Sequence, residues 1–310
     1  MQTPGRRLLA HLMNALTVEI LRLAFWLLLL CAIFVPLERL AGIKRQAFIR
    51  PEFLTDLGYY ALNSILVGVV LGTPLIFMGA ALHQLIPAAA LDSVAGLPGG
   101  VRLILALLVG EIGFYWAHRL THQTPFLWRF HSIHHSAKDI DFLTNTRAHP
   151  VDMVFTRMCG FIPVLAFGLT GGGTTVTALV LVIGTLWGFF IHANVRWRFG
   201  FLEHVIATPF FHRWHHTNDA RRDRNYAAMF PFVDHLFGTY QSPTRWPDQY
   251  GIDAPMPASL ARQLLNPFMR RPRVGTAART AATVAGEADS IDLPRSSVQT
   301  TDVVIAKAVN

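Results

Sequence analysis

The sequence predicts an all-α integral membrane protein, a helical bundle of four to five transmembrane helices with a cytoplasmic, histidine-rich helical cap. Three observations support this prediction: an apolar composition, several long hydrophobic runs, and basic residues that lie mostly in the segments between and after those runs. Hydrophobic residues make up 52% of the 310 residues and charged residues only 15%. Soluble domains carry roughly 25% charged residues. The composition therefore favours a membrane protein.

Five hydrophobic runs supply the predicted helices. They cover residues 21–37, 57–86, 101–117, 151–169 and 175–191, and a membrane span needs about 20 apolar residues. The first run is long for the core of a signal peptide and lacks a clear cleavage site. We therefore predict a retained helix there, either spanning the membrane or lying at its interface. A triple-glycine turn at residues 171–173 separates the last two runs.

The basic residues indicate an orientation in the membrane. Lysine and arginine gather between the first two runs, around the end of the third and after the fifth, whereas residues 97–98 and 171–173 carry none. The positive-inside rule then places the histidine-rich segments on the cytoplasmic side. We expect many of the basic residues that give the net charge of +8 to lie in loops at a membrane surface. We expect no nucleic-acid partner, because a nucleic-acid protein would carry a basic stripe on a soluble fold.

The chain divides into three predicted parts. Residues 1–100 hold the N-terminal membrane helices, residues 101–245 form the domain with the histidine clusters, and residues 246–310 form a C-terminal extension. From about residue 270 the extension is rich in Arg, Thr, Ala and Ser and poor in aromatic residues. That composition is typical of disorder.

Eight histidines fall into three tight clusters beside the hydrophobic runs. They are His118 and His122, then His131, His134 and His135, then His212, His215 and His216. The first cluster stands at i and i+4 and the other two at i, i+3 and i+4, which on a helix places each cluster on one face. Imidazole is the commonest metal ligand in proteins, and eight imidazoles exceed what one tetrahedral zinc needs. The spacing therefore predicts a site for two metal ions.

The identity of the metal is narrowed by what the sequence lacks. With only two cysteines, the chain cannot build a four-thiolate iron–sulphur centre or a thiolate-rich zinc site. It contains no HExxH stretch for a zinc protease. Imidazole-rich sites with few carboxylates suit iron, copper or zinc, and the spacing alone does not choose among them.

Residues 104–240 resemble the membrane-bound fatty acid hydroxylase and sterol desaturase superfamily. Besides the HX3H, HX2HH and HX2HH clusters, the resemblance is carried by Glu111 with YWAHR at residues 115–119, by RAHP at 147–150, by HANVR at 192–196, by NY at 225–226 and by DHLFGT at 234–239. Ala227 stands where the superfamily pattern has glycine. The glutamate-rich pattern of soluble diiron carboxylate enzymes is missing.

This resemblance implies a non-haem diiron centre, two Fe ions with O2 as co-substrate, at the cytoplasmic end of a membrane helix core. The eight clustered histidines would be ligands, and His192 would be a further one. Val195 or Arg196 stands where superfamily members often carry another histidine. His149 is a weaker metal candidate; its alternative role is to start a helix before Pro150.

The resemblance also implies an activity and partners. The protein would hydroxylate or desaturate a lipid from the bilayer, such as a sterol or a fatty acyl chain. No G-x-G-x-x-G nucleotide fingerprint is present, so electrons would come from a separate donor of the ferredoxin or cytochrome b5 type. Basic cytoplasmic loops would attract an acidic donor.

Four polar residues are predicted to hold ligand imidazoles in place. Glu111 lies seven residues before His118, two helical turns away on the same face, and an ionisable group in an apolar run suggests function. Asn218, Asp219 and Asp234 are further candidates for accepting imidazole N–H groups. Their alternative roles are helix caps and turns, and for Glu111 a pairing with another polar group.

Two other functions are compatible with a histidine-rich membrane protein. A membrane zinc hydrolase would hold zinc and work without oxygen. A metal transporter would need polar ligands within its membrane spans. The histidines here lie at the ends of the runs and in loops, so the transporter ranks last.

Overall fold

The computed structural model describes residues 4–171 and 174–269, and over them the chain is helical. The α-helices are α1 (Pro4–Ala41), α2 (Phe53–His83), α3 (Ala88–Ala95), α4 (Gly99–Gln123), α5 (Pro125–His131), α6 (Pro150–Ala166), α7 (Thr174–His192), α8 (Pro209–His215), α9 (Phe232–Leu236) and α10 (Leu260–Leu265). Short 3₁₀ helices cover His134–Ser136, Phe142–Thr146, Gly200–His204, Ala220–Arg222 and Asn266–Phe268. The predicted all-α class is confirmed.

Three helices in the described part of the chain are long and apolar enough to cross a membrane. They are Met13–Ala41, Gly99–Gln123 and Thr175–His192. Each of the five predicted runs lies largely within a helix, and α3 is a short helix that the sequence did not predict. The predicted glycine turn lies partly, and the predicted disordered tail almost wholly, outside the described residues.

Helices α4 and α6 make the most extensive helix contact, and α2 packs on the other side of α6. Glycines allow the close approach of α4 to α6. A β-carbon at Gly113 would overlap the carbonyl of Cys159, and one at Gly160 would come within 3.3 Å of the Gly110 carbonyl oxygen. Small residues at a crossing let two membrane helices approach closely, which fixes α6 against the helix that carries the first histidine cluster.

A second hydrophobic core joins α1 to α7 close to the end of α7 at His192. Leu30 and Phe34 of α1 pack with Phe189 of α7 and with Phe142. The rings of Phe34 and Phe142 stack with centroids 5.5 Å apart. The segment that contains Phe142 is thereby anchored to α1 and α7, two of the candidate membrane spans.

The first part of the C-terminal extension is packed onto the helices. Thr55 Oγ1 donates to the Ala258 carbonyl oxygen at 2.8 Å, and the rings of Phe130 and Phe268 lie 5.6 Å apart. Residues 246–269 thus cover one side of α2 and α5.

Candidate metal centre

Nine histidines converge in two groups at one end of the helices. Group one is His118, His122, His131, His135 and His215, and group two is His134, His192, His212 and His216. Within each group the ligand-type nitrogen atoms lie within 4.8 Å of one another. The structure therefore brings together all eight clustered histidines and His192.

Each group is assembled from several helices. Helix α4 supplies His118 and His122 from its last two turns, and α7 ends at His192. Helix α5 and the 3₁₀ turn after it supply the second cluster, while α8 and the residue after it supply the third. No single element contributes a whole group, so the groups exist only in the folded chain.

The second and third clusters do not present one face, which corrects that expectation. His131 and His135 join group one while His134 joins group two; likewise His212 and His216 join group two while His215 joins group one. Positions i and i+4 are about 40° apart around a helix, whereas i+3 and i+4 are about 100° apart. The second and third clusters therefore each stand between the two groups and contribute to both.

Hydrogen bonds on one ring nitrogen define which nitrogen faces the centre of each group. His118 Nδ1 donates to the Tyr226 carbonyl oxygen at 2.7 Å, and His131 Nδ1 donates to the Asp152 carboxylate at 3.0 Å. Both Nε2 atoms are then unprotonated in the neutral ring, yet they face each other at 3.2 Å. Two lone pairs at that distance repel unless a cation lies between or beside them.

Group two repeats this arrangement. His134 Nδ1 donates to the Arg147 carbonyl oxygen at 3.0 Å, and His192 Nδ1 donates to that of Gly188 at 2.7 Å. Their Nε2 atoms are 3.2 Å apart, and that of His212 lies 3.0 Å from that of His192. Nitrogens that bind one ion at right angles with bonds of about 2.1 Å lie roughly 3.0 Å apart. The spacing fits a shared metal ion.

Other ring nitrogens are buried without a hydrogen-bond partner among the described residues. They are His122 Nε2, both nitrogens of His135, His212 Nδ1, His215 Nε2 and His216 Nδ1. A buried polar atom without a partner costs about 1–3 kcal/mol. A bound cation would satisfy His122 Nε2 and His215 Nε2, whose Nδ1 atoms are already hydrogen-bonded, and one nitrogen of His135, so the donor set fits a histidine-ligated pair of metal ions.

Burial favours the neutral form of five imidazoles outside the membrane helices. For His134, His135, His212, His215 and His216 it lowers the pKa well below the usual value, and neighbouring imidazoles lower it further. A neutral imidazole offers a lone pair, whereas a protonated one does not. The site is therefore ready to bind a cation at pH 7 without first losing protons.

Among the described residues, Glu111 and Asp234 accept hydrogen bonds from backbone N–H groups and a threonine hydroxyl rather than from an imidazole, which corrects their predicted role. The Glu111 carboxylate accepts from the backbone N–H groups of Ala228 and Met229 at 2.7 and 3.1 Å. Asp234 accepts from those of Tyr226 and Ala227 at 2.8 and 2.9 Å. The two carboxylates fix the loop whose Tyr226 carbonyl accepts from His118, so they act on that ligand through the backbone.

Three other candidates lie apart from the two groups. Asn218 donates to Asp253 at 2.9 Å, and Asp219 accepts from the Arg221 backbone N–H at 2.7 Å, at the start of a 3₁₀ turn. His149 accepts from the Val151 backbone N–H at 3.1 Å and caps the start of α6. Cap and turn contacts, the alternatives named for these residues, account for Asp219 and His149.

Two carboxylates that the sequence analysis missed do contact candidate ligands. Asp152, in the first turn of α6, bonds His131. Asp223 accepts from His122 Nδ1 at 3.0 Å. A carboxylate on the far nitrogen of a ligand imidazole fixes its tautomer and orientation. Asp152 could have been found as an acid two residues after Pro150, at the start of an apolar run.

The backbone behind His134 is held by buried ion pairs. Asp56, whose side chain is 0% exposed, lies between Arg50 and Arg147, with both N–O distances 2.5 Å. Arg50 also pairs with Asp141 at 2.7 Å. The backbone carbonyl of Arg147 accepts a hydrogen bond from His134. The ion pairs therefore support this group-two histidine through Arg147.

Residues 103–239 match the sequence model of the family described as fatty acid hydroxylase. Over these residues, which are less than half of its length, the chain is similar to the fatty acid hydroxylase superfamily. The match covers both histidine groups and the Glu111 and Asp234 positions, so the superfamily pattern and the converging imidazoles occupy the same part of the chain.

Proteins similar to this chain carry names of lipid enzymes. It is 34% identical to ornithine lipid hydroxylase OlsE of Rhizobium tropici over 57% of the chain and 53% of the relative. It is 33% identical to human alkylglycerol monooxygenase over 44% of the chain and 30% of the relative. It is 26% identical to methylsterol monooxygenase 2-2 of Arabidopsis thaliana over 44% of the chain and 52% of the relative. The matched region thus spans about half of the first and last of these relatives and about a third of the second. No solved structure matches the chain significantly.

Proposed function

We propose that this protein is an integral membrane oxygenase that hydroxylates or desaturates a lipid at a pair of iron ions. The observation that carries the proposal is the convergence of nine imidazoles in two adjacent groups, with Nε2 atoms facing each other at 3.0–3.2 Å. We assign the nine histidines as the ligands, five for one ion and four for the other.

When bound, the ion pair would supply the activation of O2 and the oxidation of an unactivated C–H bond. The protein holds the ligand rings by their far nitrogens, through Asp152, Asp223 and backbone carbonyls. Because these acceptors belong to the folded chain itself, the facing nitrogens are positioned before any ion binds. Burial of the rings excludes bulk water from both groups.

The substrate is proposed to be a lipid that enters from the bilayer. Ornithine lipid, alkylglycerol and methylsterol appear in the names of three relatives, and all are amphipathic molecules of a membrane. The histidine groups lie at the ends of candidate spans α4 and α7. An acyl chain or a ring system in the bilayer could therefore reach them without crossing water.

We propose that α2 and α6 join the three candidate spans to give four to five membrane helices. Residues 101–245 form the catalytic part, and the histidine groups face the cytoplasm. The orientation is supported by the basic residues that surround the histidine clusters and by the rarity of cations in the opposite loops.

An acidic electron donor is proposed to dock above group one. We call Arg221, Arg222, Arg224 and Asp223 the arginine patch. Asp223 bonds His122, and the Arg224 carbonyl accepts from His215 at 2.8 Å. The Arg222 guanidinium lies 4.9 Å above the ring of Trp128, which is 5.1 Å from that of His122. The patch thus contacts group-one ligands directly and carries more positive than negative charge.

Reversing charge on this patch should weaken reduction by a protein donor. In the double variant Arg221→Glu, Arg222→Glu, we expect turnover driven by an acidic ferredoxin and its reductase to fall about tenfold or more, because steering by opposite charge is lost. Single turnover after chemical reduction with dithionite should be unchanged. Arg262→Glu, an exposed charge reversal on α10, is the matched control. Equal donor-driven rates in both variants would remove the patch as the docking site.

The function itself is tested by oxygen and metal dependence. Membranes with and without the protein are incubated with heavy-isotope O2 or anaerobically, and their lipids and the purified protein's metal content are measured. We expect about two iron ions per chain, one for each histidine group, and a lipid product that forms only with O2 and, if hydroxylated, carries the label. A product formed without oxygen by a zinc-loaded protein would support the hydrolase instead. Metal uptake into sealed vesicles without a lipid product would support the transporter.

A further inference from the structure

A cavity of about 530 Å³ lies at the end of candidate span α1, and none of the nine histidines lines it. Four cationic residues line it: Arg39, Lys44, Arg45 and Arg196. Ligand sites in proteins commonly measure about 300–1,000 Å³. The cavity begins where the membrane span ends at Ala41, so it lies at the height of lipid headgroups.

The carboxylates of this cavity already have partners. Glu38 Oε1 accepts from the backbone N–H groups of Phe142 and Asn194, both at 2.8 Å. Asp141 pairs with Arg50. Lys44 is engaged with Asp139 at 2.6 Å. Arg39, Arg45 and Arg196 are exposed. They give the cavity an excess of positive charge that can attract an anion.

Asn194 adds a buried acceptor to the cavity wall. Its residue is only 2% exposed, and its Nδ2 donates to the Lys44 carbonyl oxygen at 2.7 Å. Its Oδ1 is buried without a hydrogen-bond partner among the described residues. A ligand that fits must therefore bring an O–H or N–H donor as well as negative charge.

The apolar wall points to a lipid. Phe53 and Leu40 line the cavity, and Leu40 is 82% exposed at the end of α1. An acyl chain can lie along this face of α1 while a headgroup fills the cavity. Basic pockets beside membrane helices bind anionic lipid headgroups.

We propose that this cavity binds the headgroup of an anionic phospholipid, with the phosphate held by the arginines and a headgroup hydroxyl donated to Asn194 Oδ1. The inference is independent of the proposed oxygenase function, because none of these residues belongs to either histidine group. It gives the chain a lipid site separate from its metal centre.

The test measures lipid binding by the full chain in neutral detergent by native mass spectrometry. The probes are phosphatidylglycerol, phosphatidylcholine and inorganic phosphate. We expect one phosphatidylglycerol to bind in preference to phosphatidylcholine, and inorganic phosphate not to displace it at matched concentration. Each arginine removed should weaken binding about fivefold, so Arg45→Gln with Arg196→Gln should weaken it roughly 25-fold.

Arg245→Gln with Arg262→Gln is the matched control, since both arginines are exposed and neither lines the cavity. It should bind phosphatidylglycerol as the wild type does. Circular dichroism of each variant checks that the helices are intact. Equal affinity for the two lipids, equal loss in both double variants, or displacement by inorganic phosphate would each overturn the proposal.

Discussion

Replacing His134 with alanine is expected to abolish lipid oxidation while the protein still inserts into the membrane. His134 is one of four imidazoles in group two, and its Nε2 lies 3.2 Å from that of His192. Loss of residues that merely hold a ligand already costs about 10–100-fold in metal affinity or activity. Loss of a proposed ligand should exceed about 100-fold. Product analysis by lipid mass spectrometry measures the effect.

Metal content separates loss of a ligand from loss of the fold. We expect His134→Ala to retain the ion of group one and to lose most of that of group two, so iron per chain falls to about half. The control is His149→Asn, which replaces a histidine outside both groups with a residue that also caps helices. That variant should keep its iron and its activity. Full turnover by His134→Ala would remove this histidine from the ligand set.

Asp56→Asn is expected to cause the largest loss of stability among single polar substitutions in the described core. Asp56 lies between the buried guanidinium groups of Arg50 and Arg147. Arg50 would keep Asp141 as a partner, but Arg147 would keep only Glu52, at 3.8 Å. Breaking a buried pair by removing one partner costs about 3–5 kcal/mol. The midpoint of thermal unfolding in detergent should fall accordingly.

The matched control for this substitution is Asp139→Asn. Asp139 also pairs with a cation, Lys44, but both side chains are about half exposed, at 40% and 48%. Exposed pairs contribute about 0–1 kcal/mol, so the control should unfold near the wild-type midpoint. If both variants unfold together, the buried network does not stabilise the segment behind His134.

The histidines could be found from the sequence because their spacing is local. His192 was found from the superfamily pattern, since it stands alone at the end of α7. The division into two groups could not be predicted, because it depends on where α5 and α8 end and on how the rings point. His134 and His135 are neighbours in sequence yet belong to different groups.

The residues that support the ligands were harder to predict than the ligands. Their partners come from distant parts of the chain: Asp152 meets His131 across 21 residues, and Asp223 meets His122 across 101. Glu111 was identified as functional from its place in an apolar run, but its partners are backbone N–H groups 117 and 118 residues away. These N–H partners become apparent only in the folded chain, where α4 packs against the loop that follows Tyr226.

The two candidate spans that carry histidines serve different groups. Helix α4 delivers His118 and His122 to group one, whereas α7 delivers His192 to group two. Membrane helices adjust to bilayer thickness partly by tilting. If both helices span the bilayer as proposed, a relative tilt of α4 and α7 would change the separation of the groups, and so the distance between two bound ions. Hydrophobic mismatch would then act on the geometry of the proposed centre, and we expect its reactivity to depend on the surrounding lipid.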